Sequence, residues 1–229
     1  SGWEFCAVLF VAGMIGTTTA DALSYSAKPI SAMVIDADTK QPLSEVNVLI
    51  EWDLQSLDGG GGPFFLIQET ETDNRGRFTL SGWGPKLVPQ ISGEPSWRLG
   101  PEQPTIYIFK SGYPIGIQYN PWESWMLGNP AWTGDLVRSS AWDNKTIELR
   151  RFSGSISEYL DSLARAARNL PLQACRWSAV PRFTAALINV QGKREPRVFG
   201  LPTLKTLEQK AQETAGCVSP RLMLGPYLK

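Results

Sequence analysis

Two glutamates, Glu69 and Glu71, have the side-chain type and spacing that acid–base chemistry could use. They alternate around Thr70 on a predicted strand, and paired carboxylates serve as acid and base in glycoside hydrolysis. We expect both to project into solvent on the same face as Asp73, where water keeps a carboxyl pKa near its usual value. We therefore assign no catalytic residue and expect that the chain is not an enzyme.

The chain contains no histidine. This absence excludes the Ser-His-Asp triad, the Cys-His pair, a histidine general base and every zinc site that uses histidine. Hydrolysis at neutral pH would then need a carboxylate of raised pKa or a bound metal.

Calcium is the metal to consider, because it binds clusters of three or more oxygen ligands. The candidate ligands are aspartates near predicted loops: Asp36, Asp38, Asp53, Asp58 and Asp73. No D-x-[DN]-x-[DN]-G run is present, and turn capping explains Asp38 and Asp73 better. The glycine run at 59–62 lacks the lysine of a phosphate-binding loop. Because consecutive glycines disfavour regular structure, we expect residues 58–63 to form a flexible loop. The sequence predicts no metal and no cofactor.

The best candidates for ligand binding are aromatic side chains in one segment rich in proline and glycine. They are Tyr119, Trp122, Trp125, Trp132 and Trp142. Tyrosine and tryptophan offer flat apolar faces with a polar edge, which suit sugar rings, peptide prolines or a protein partner. The alternative is that these rings are buried and cover the rest of the fold.

Alternating apolar residues predict the strands that would position these side chains. We expect strands at residues 30–36, 46–52, 64–72, 77–80, 105–110 and 145–150. In the second strand Val46, Val48 and Ile50 share one face. Residues 81–103 are interpreted as an insertion rich in Gly, Pro and Trp, and residues 119–142 as a long ordered loop.

Three short motifs fall on these strands and turns. The first motif, T-x-T-D-x-x-G-x-F, is matched by Thr70, Thr72, Asp73, Gly76 and Phe78. The second, D-x-x-T-G-x-P-L, is matched by Asp36, Thr39, Pro42 and Leu43. The third, K-x-G-Y, is found at residues 110–113. Through these motifs residues 30–115 resemble the carboxypeptidase-regulatory-like domain. Lys40 departs from the family pattern, in which glycine is common at this position. The turn must therefore tolerate a β-carbon here.

The resemblance implies a transthyretin-like β-sandwich that binds, spaces or stiffens and carries no chemistry of its own. That domain often accompanies a zinc carboxypeptidase, whose metal needs histidine, so this chain cannot be that enzyme. Gly76 is expected to supply a positive φ, Asp73 to cap the turn and Phe78 to point into the core. Through residues 25–30 and 83–86 the whole chain also resembles a group of proteobacterial envelope proteins.

The N-terminal residues predict export. Residues 5–16 form an uncharged apolar run that is too short to cross a bilayer, and the A-x-A site at residues 20–22 would give a mature start at Leu23. An uncleaved membrane anchor is the alternative. Cleavage would remove Cys6 and leave Cys175 and Cys217, and an even pair in an exported protein indicates a disulfide.

The C-terminal residues are predicted to be helical. Ser155 and Glu158 form a capping box, followed by an apolar stripe of Ile156, Tyr159, Leu160, Leu163, Ala167 and Leu170. Further helices are expected at residues 181–190 and 202–215. The two cysteines flank these helices, so their bond would close the tail on itself.

Lysines and arginines number 22, equal to the aspartates and glutamates, so no net field attracts nucleic acid or an anionic membrane. The sequence predicts a mainly β protein, a transthyretin/prealbumin-like antiparallel β-sandwich with a C-terminal helical subdomain. Its parts are residues 1–22 (signal peptide or anchor), 23–152 (sandwich) and 153–229 (disulfide-stapled tail).

The expected function is that of a non-enzymatic, extracytoplasmic binding or assembly module of the bacterial cell envelope, located in the periplasm or anchored by residues 5–16. Its partner would be another envelope protein or a complex, or a carbohydrate, and not a nucleic acid. The alternative is a carbohydrate-binding accessory protein or a weak glycosidase.

Overall fold

Strands make up most of the described residues up to residue 149, and helices follow them. The computed structural model describes residues 23–56, 60–89, 97–100, 102–121, 137–172, 175–192 and 200–229. The strands in this part are β1 (Ser24–Ala27), β2 (Ile30–Asp36), β3 (Asn47–Ser56), β4 (Gly61–Glu71), β5 (Arg77–Leu80), β6 (Trp83–Leu87), β7 (Trp97–Leu99), β8 (Thr105–Phe109), β9 (Gly116–Gln118), β10 (Val137–Arg138) and β11 (Thr146–Leu149). The helices are α1 (Ile156–Ala167), α2 (Pro181–Gln191), α3 (Leu204–Glu213) and α4 (Pro220–Leu224), with short 3₁₀ helices at Arg176–Ala179 and Gly225–Tyr227.

The described strands form three sheets. The largest sheet has the strand order β4-β3-β8-β9, and β7 also pairs with β3. In the second sheet β2 lies between β11 and β5, and in the third β1 lies between β10 and β6. The pairings are mostly antiparallel, which confirms the predicted mainly β sandwich. Two pairs, β10 with β1 and β11 with β2, are parallel. The strand pattern did not predict them, because each joins a strand far earlier in the chain through a long connection.

Strand β3 is buried on both faces because its alternating side chains meet two different layers. Val48 and Ile50 are 0% and 1% exposed and join the sandwich core, together with Phe78 of β5. Leu49 faces the opposite way and belongs to a second core, which the helices close. Burying each such side chain contributes about 1.5–3 kcal/mol. The face that carries Leu49 continues along β3 with Glu51.

The turn between β4 and β5 forms as the motif predicts. Gly76 has a φ of +71°, and a Cβ there would lie 2.5 Å from the carbonyl oxygen of Val34, so glycine is required. The carboxylate of Asp73 accepts the N–H groups of Arg75 and Arg77, each at 2.9 Å. Phe78 is 2% exposed. The three predicted roles are confirmed.

Two further motif residues shape the neighbouring loop. The hydroxyl of Thr72 donates to the carbonyl of Leu43 at 2.7 Å and accepts from the N–H of Val46 at 2.9 Å, so it joins the two hairpins. Lys40 adopts a φ of +58°, the left-handed conformation for which glycine is common at this point of the family pattern. The substitution of lysine for glycine therefore leaves the turn conformation in place.

The glycine run differs from the expectation of a flexible loop. Strand β4 begins at Gly61, which pairs with Gln55 of β3, so part of the run is regular sheet. A Cβ on Gly62 would lie 2.5 Å from the carbonyl oxygen of Leu54 and 2.5 Å from the ring of Trp97. The glycine is therefore needed for close packing rather than for mobility. Residues 57–59 lie outside the described part of the chain.

The helical tail covers the second face of the large sheet. The capping box at Ser155 and Glu158 is present, and Tyr159, Leu160 and Leu163 pack into the second core as predicted. Ile156 is 48% exposed, so its place in the predicted stripe was wrong. In the described residues, no helix has the length and apolar character that crossing a membrane requires.

Candidate functional site

A groove of about 550 Å³ lies where the tail meets one end of the large sheet. Ala186 and Val190 of α2 give it apolar surface, and both layers contribute charged side chains. The charged and aromatic groups at its walls include Glu45, Glu71, Lys110, Arg182, Tyr227 and Lys229. A cleft with apolar surface and a few polar groups is the usual form of a binding site.

The wall formed by α2 is fixed by a carboxylate from the sheet. Val180 at the N-cap of α2 makes no side-chain cap, and Pro181 follows it. Glu69 of β4 instead accepts the N–H of Arg182 at 3.1 Å and that of Phe183 at 3.0 Å. These N–H groups have no partner within the helix, and an anion is favourable at this end of the helix dipole. The prediction that Glu69 projects into solvent was wrong.

Burial raises the pKa of Glu69, although the two N–H groups and Arg182 oppose the rise. Its neighbour Glu71 is partly buried, and one of its carboxylate oxygens lies 3.5 Å from a guanidinium nitrogen of Arg182. That guanidinium stands 5.5 Å from the ring centre of Tyr227. Arg182 is thus held between an acid of the sandwich and an aromatic ring of the tail, at the edge of the groove.

A second polar feature, here called the carboxyl pair, consists of Glu51 and Asp53 on β3. The two residues share the strand face that carries Leu49, and their side chains are hydrogen-bonded to each other. Tyr107 donates to Glu51 at 3.1 Å, and a guanidinium nitrogen of Arg176 lies 3.7 Å from the other Glu51 oxygen. Glu51 is 4% exposed. Two carboxyls in hydrogen-bond contact must share a proton.

Burial raises the pKa of Glu51 to about 8, and the neighbouring Asp53 adds to the rise. Burial also raises the pKa of Asp53 and of Tyr107. Alternation places Glu51 on the strand face opposite to that of Val48 and Ile50, and in the structure this face meets Arg176 of the tail.

The aromatic candidates are only partly within the described residues. Tyr119 is 51% exposed. Trp142 packs against the sandwich core, and its indole N–H donates to the carbonyl of Tyr119 at 2.9 Å. The structure therefore brings these two residues together. The remaining candidates lie outside the described residues: Trp122, Trp125 and Trp132.

The aspartates proposed as calcium ligands occupy separate turns and strands. Asp36 accepts the N–H groups of Asp38 and Thr39 at 3.0 and 2.8 Å, and the Tyr113 hydroxyl at 2.7 Å. The Tyr113 bond is the main cause that lowers the pKa of Asp36 to about 2. In the part of the chain that the structure describes, no group of three or more His, Cys, Asp or Glu side chains is placed to hold a metal ion. Asp58 lies outside that part.

The predicted disulfide is present between Cys175 and Cys217, whose Cα atoms are 5.6 Å apart. It connects the residue before the first 3₁₀ helix to the chain that follows α3. Arg176, which contacts Glu51, is therefore adjacent to the covalent link. Sequence reasoning did not find this role of Arg176, since no local pattern signals a partner on β3.

No protein-family model matches the chain, and no curated protein matches it. Solved structures similar to part of it include 3-chlorocatechol 1,2-dioxygenase from Rhodococcus opacus 1CP, with 16% identity, a TM-score of 0.34, and 58% of this chain and 62% of that chain covered. The shaft pilin SpaA from Lactobacillus rhamnosus GG has 12% identity and a TM-score of 0.25, covering 58% of this chain and 47% of that one.

A third similar structure, catechol 1,2-dioxygenase from Pseudomonas arvilla C-1, has 16% identity and a TM-score of 0.32, covering 69% of this chain and 60% of that one. The chain thus spans less than two-thirds of the length of each of these proteins. These similarities assign neither a family nor an activity to it.

Proposed function

We propose that this protein is a non-enzymatic binding module of the bacterial cell envelope, built on a sandwich of the carboxypeptidase-regulatory-like kind and acting outside the cytoplasm. The turn motif with Asp73, Gly76 and Phe78 supports the kinship, because each residue takes the role that the family pattern implies. The disulfide supports an oxidising compartment.

The groove between sandwich and tail is the observation that carries the binding role. Its apolar surface at Ala186 and Val190 lies beside the ion pair of Glu71 and Arg182. An extended peptide whose side chains alternate between apolar and charged would contact both the apolar surface and the charged groups. The ligand that fits this groove best is a segment of another envelope protein.

The geometry of the carboxyl pair supports a non-enzymatic role. Retaining glycosidases hold their two carboxyl groups about 5–5.5 Å apart, and inverting enzymes hold them farther apart. Here the carboxyls of Glu51 and Asp53 are in hydrogen-bond contact, and Tyr107 and Arg176 engage the same glutamate. A sugar and a water molecule have no room between them.

Site-specific photo-crosslinking in native cells tests the groove. A photoreactive amino acid at Ala186, which lines the groove, should give a defined adduct with an envelope protein, identified by mass spectrometry. The same group at Glu148, exposed on β11, should give none. Arg182→Ala should weaken the Ala186 adduct, since it removes the cation at the groove edge. Equal adducts from both positions would contradict the proposal.

Carbohydrate binding is the second candidate, and the exposed ring of Tyr119 favours it. Such a ring can stack on the face of a sugar. Titration with envelope oligosaccharides would separate the two candidates. Saturable binding that Tyr119→Ala abolishes and Arg182→Ala leaves unchanged would favour this second function.

A further inference from the structure

Two acids of the sandwich reach across to the helical tail at separate points of the same interface. Glu51 of β3 lies 3.7 Å from the guanidinium of Arg176, at the start of a 3₁₀ helix. Glu69 of β4 accepts two backbone N–H groups at the start of α2. The tail therefore packs directly onto carboxyl groups that would be hydrated without it.

The protonation of Glu51 follows from its neighbours. Among the described residues, the titratable groups that face Glu51 are the Asp53 carboxyl and the Tyr107 hydroxyl from the sheet and Arg176 from the tail, and Glu102 faces Asp53. Two contacting acids with one cation cannot both ionise easily, so the docked arrangement holds a proton between them. Tyr107 also donates to the carbonyl of Asn169 at 3.1 Å, which joins this cluster to the end of α1.

Glu69 is the second acid at this interface. The charged groups that face it are Glu71 from its own strand and Arg182 from α2. Burial outweighs the N–H bonds and raises its pKa. An acid that binds its proton more tightly in the docked state than in water links docking to proton uptake.

We propose that docking of the helical tail (residues 153–229) on the sandwich is linked to proton binding by the Glu51–Asp53 pair, so that rising pH loosens the tail. Loosening exposes the sheet face of Leu49, which the tail otherwise buries. It also removes α2 from the groove wall, but the inference does not depend on what the groove binds.

Hydrogen exchange of the full-length protein, measured by mass spectrometry from pH 6 to pH 9 and corrected for the intrinsic rate, tests this linkage. Amides of α2 should lose at least about tenfold of their protection across this range. Amides of β2 in the sandwich should keep theirs. Glu51→Gln mimics the protonated form and should hold α2 protection constant, while Glu148→Gln, at an exposed ion pair with Lys40, should behave as wild type.

Constant α2 protection in the wild type would overturn the inference, as would a parallel loss in α2 and β2, which indicates global unfolding. A Glu51→Gln protein that loses protection as the wild type does would also overturn it. If that variant does not fold, Asp53→Asn provides the second test, because it removes the acid neighbour and should weaken the pH dependence. An unchanged pH dependence in Asp53→Asn would then count against the inference.

Discussion

Replacing Glu69 by alanine should destabilise the protein by detaching the start of α2 from the sheet. The variant loses two hydrogen bonds, at 3.1 and 3.0 Å, to N–H groups that have no other capping side chain. Loss of an N-cap costs about 0.5–2 kcal/mol, and loss of the favourable charge at a helix N-terminus costs about 0.3–1 kcal/mol more. Relief of the buried charge offsets part of this sum, so we expect a net loss of about 1–2 kcal/mol in the free energy of unfolding.

Urea denaturation followed by circular dichroism measures this loss, which corresponds to about 2–8 °C in Tm for a chain of this size. Glu71→Ala is the matched control, because Glu71 lies on the same strand and contacts only the side chain of Arg182, at 3.5 Å. A partly exposed ion pair of this kind contributes about 0–1 kcal/mol. Equal destabilisation by both variants would refute the capping role and leave only general charge effects.

Three further perturbations have defined outcomes. Cys175→Ser should lower the free energy of unfolding by about 4 kcal/mol in the chain-entropy model, given a separation of 42 residues from Cys217, as measured by denaturation without reductant. The pKa of Glu51 is about 8 in the folded protein and 4.5, its usual value, in the unfolded chain, so the free energy of unfolding should fall as the pH rises toward and through 8. The Tm should fall with it, and Glu51→Gln should remove this fall. Tyr113→Phe should raise the pKa of Asp36, read by NMR titration, since it removes the bond that mainly lowers it; an unchanged titration would contradict that cause.

Much of the sandwich could be predicted from local sequence. Alternation located β2 and β5 at their observed bounds, and the motif located a turn that needs Gly76 and Asp73. These features depend on residues close together in the chain. The glycine run was misinterpreted because its role is to admit the ring of Trp97 against Gly62, a contact between distant residues.

The polar contacts of the tail could not be predicted in the same way. Glu69 caps a helix that begins more than a hundred residues later, and the N-cap residue Val180 gives no sign that a partner exists. Glu51 alternates with core residues as any solvent-facing strand position does. In the structure its carboxyl group faces Arg176, which follows the disulfide-bonded Cys175. Glu69 was assigned to solvent because strand periodicity identifies a face and not what covers it.

The burial of Glu51 is not explained by stability alone. An apolar residue of similar volume in contact with Tyr107 would avoid the desolvation of a carboxyl group, and such replacements of buried ion pairs are often neutral or stabilising. A carboxyl group differs from that residue in two respects: it selects a cation as its partner, and it responds to pH. Arg176 is the cation that faces it, and their contact links the 3₁₀ helix to β3. The group that contacts the tail is therefore also the group through which a change in proton concentration can alter the position of the tail.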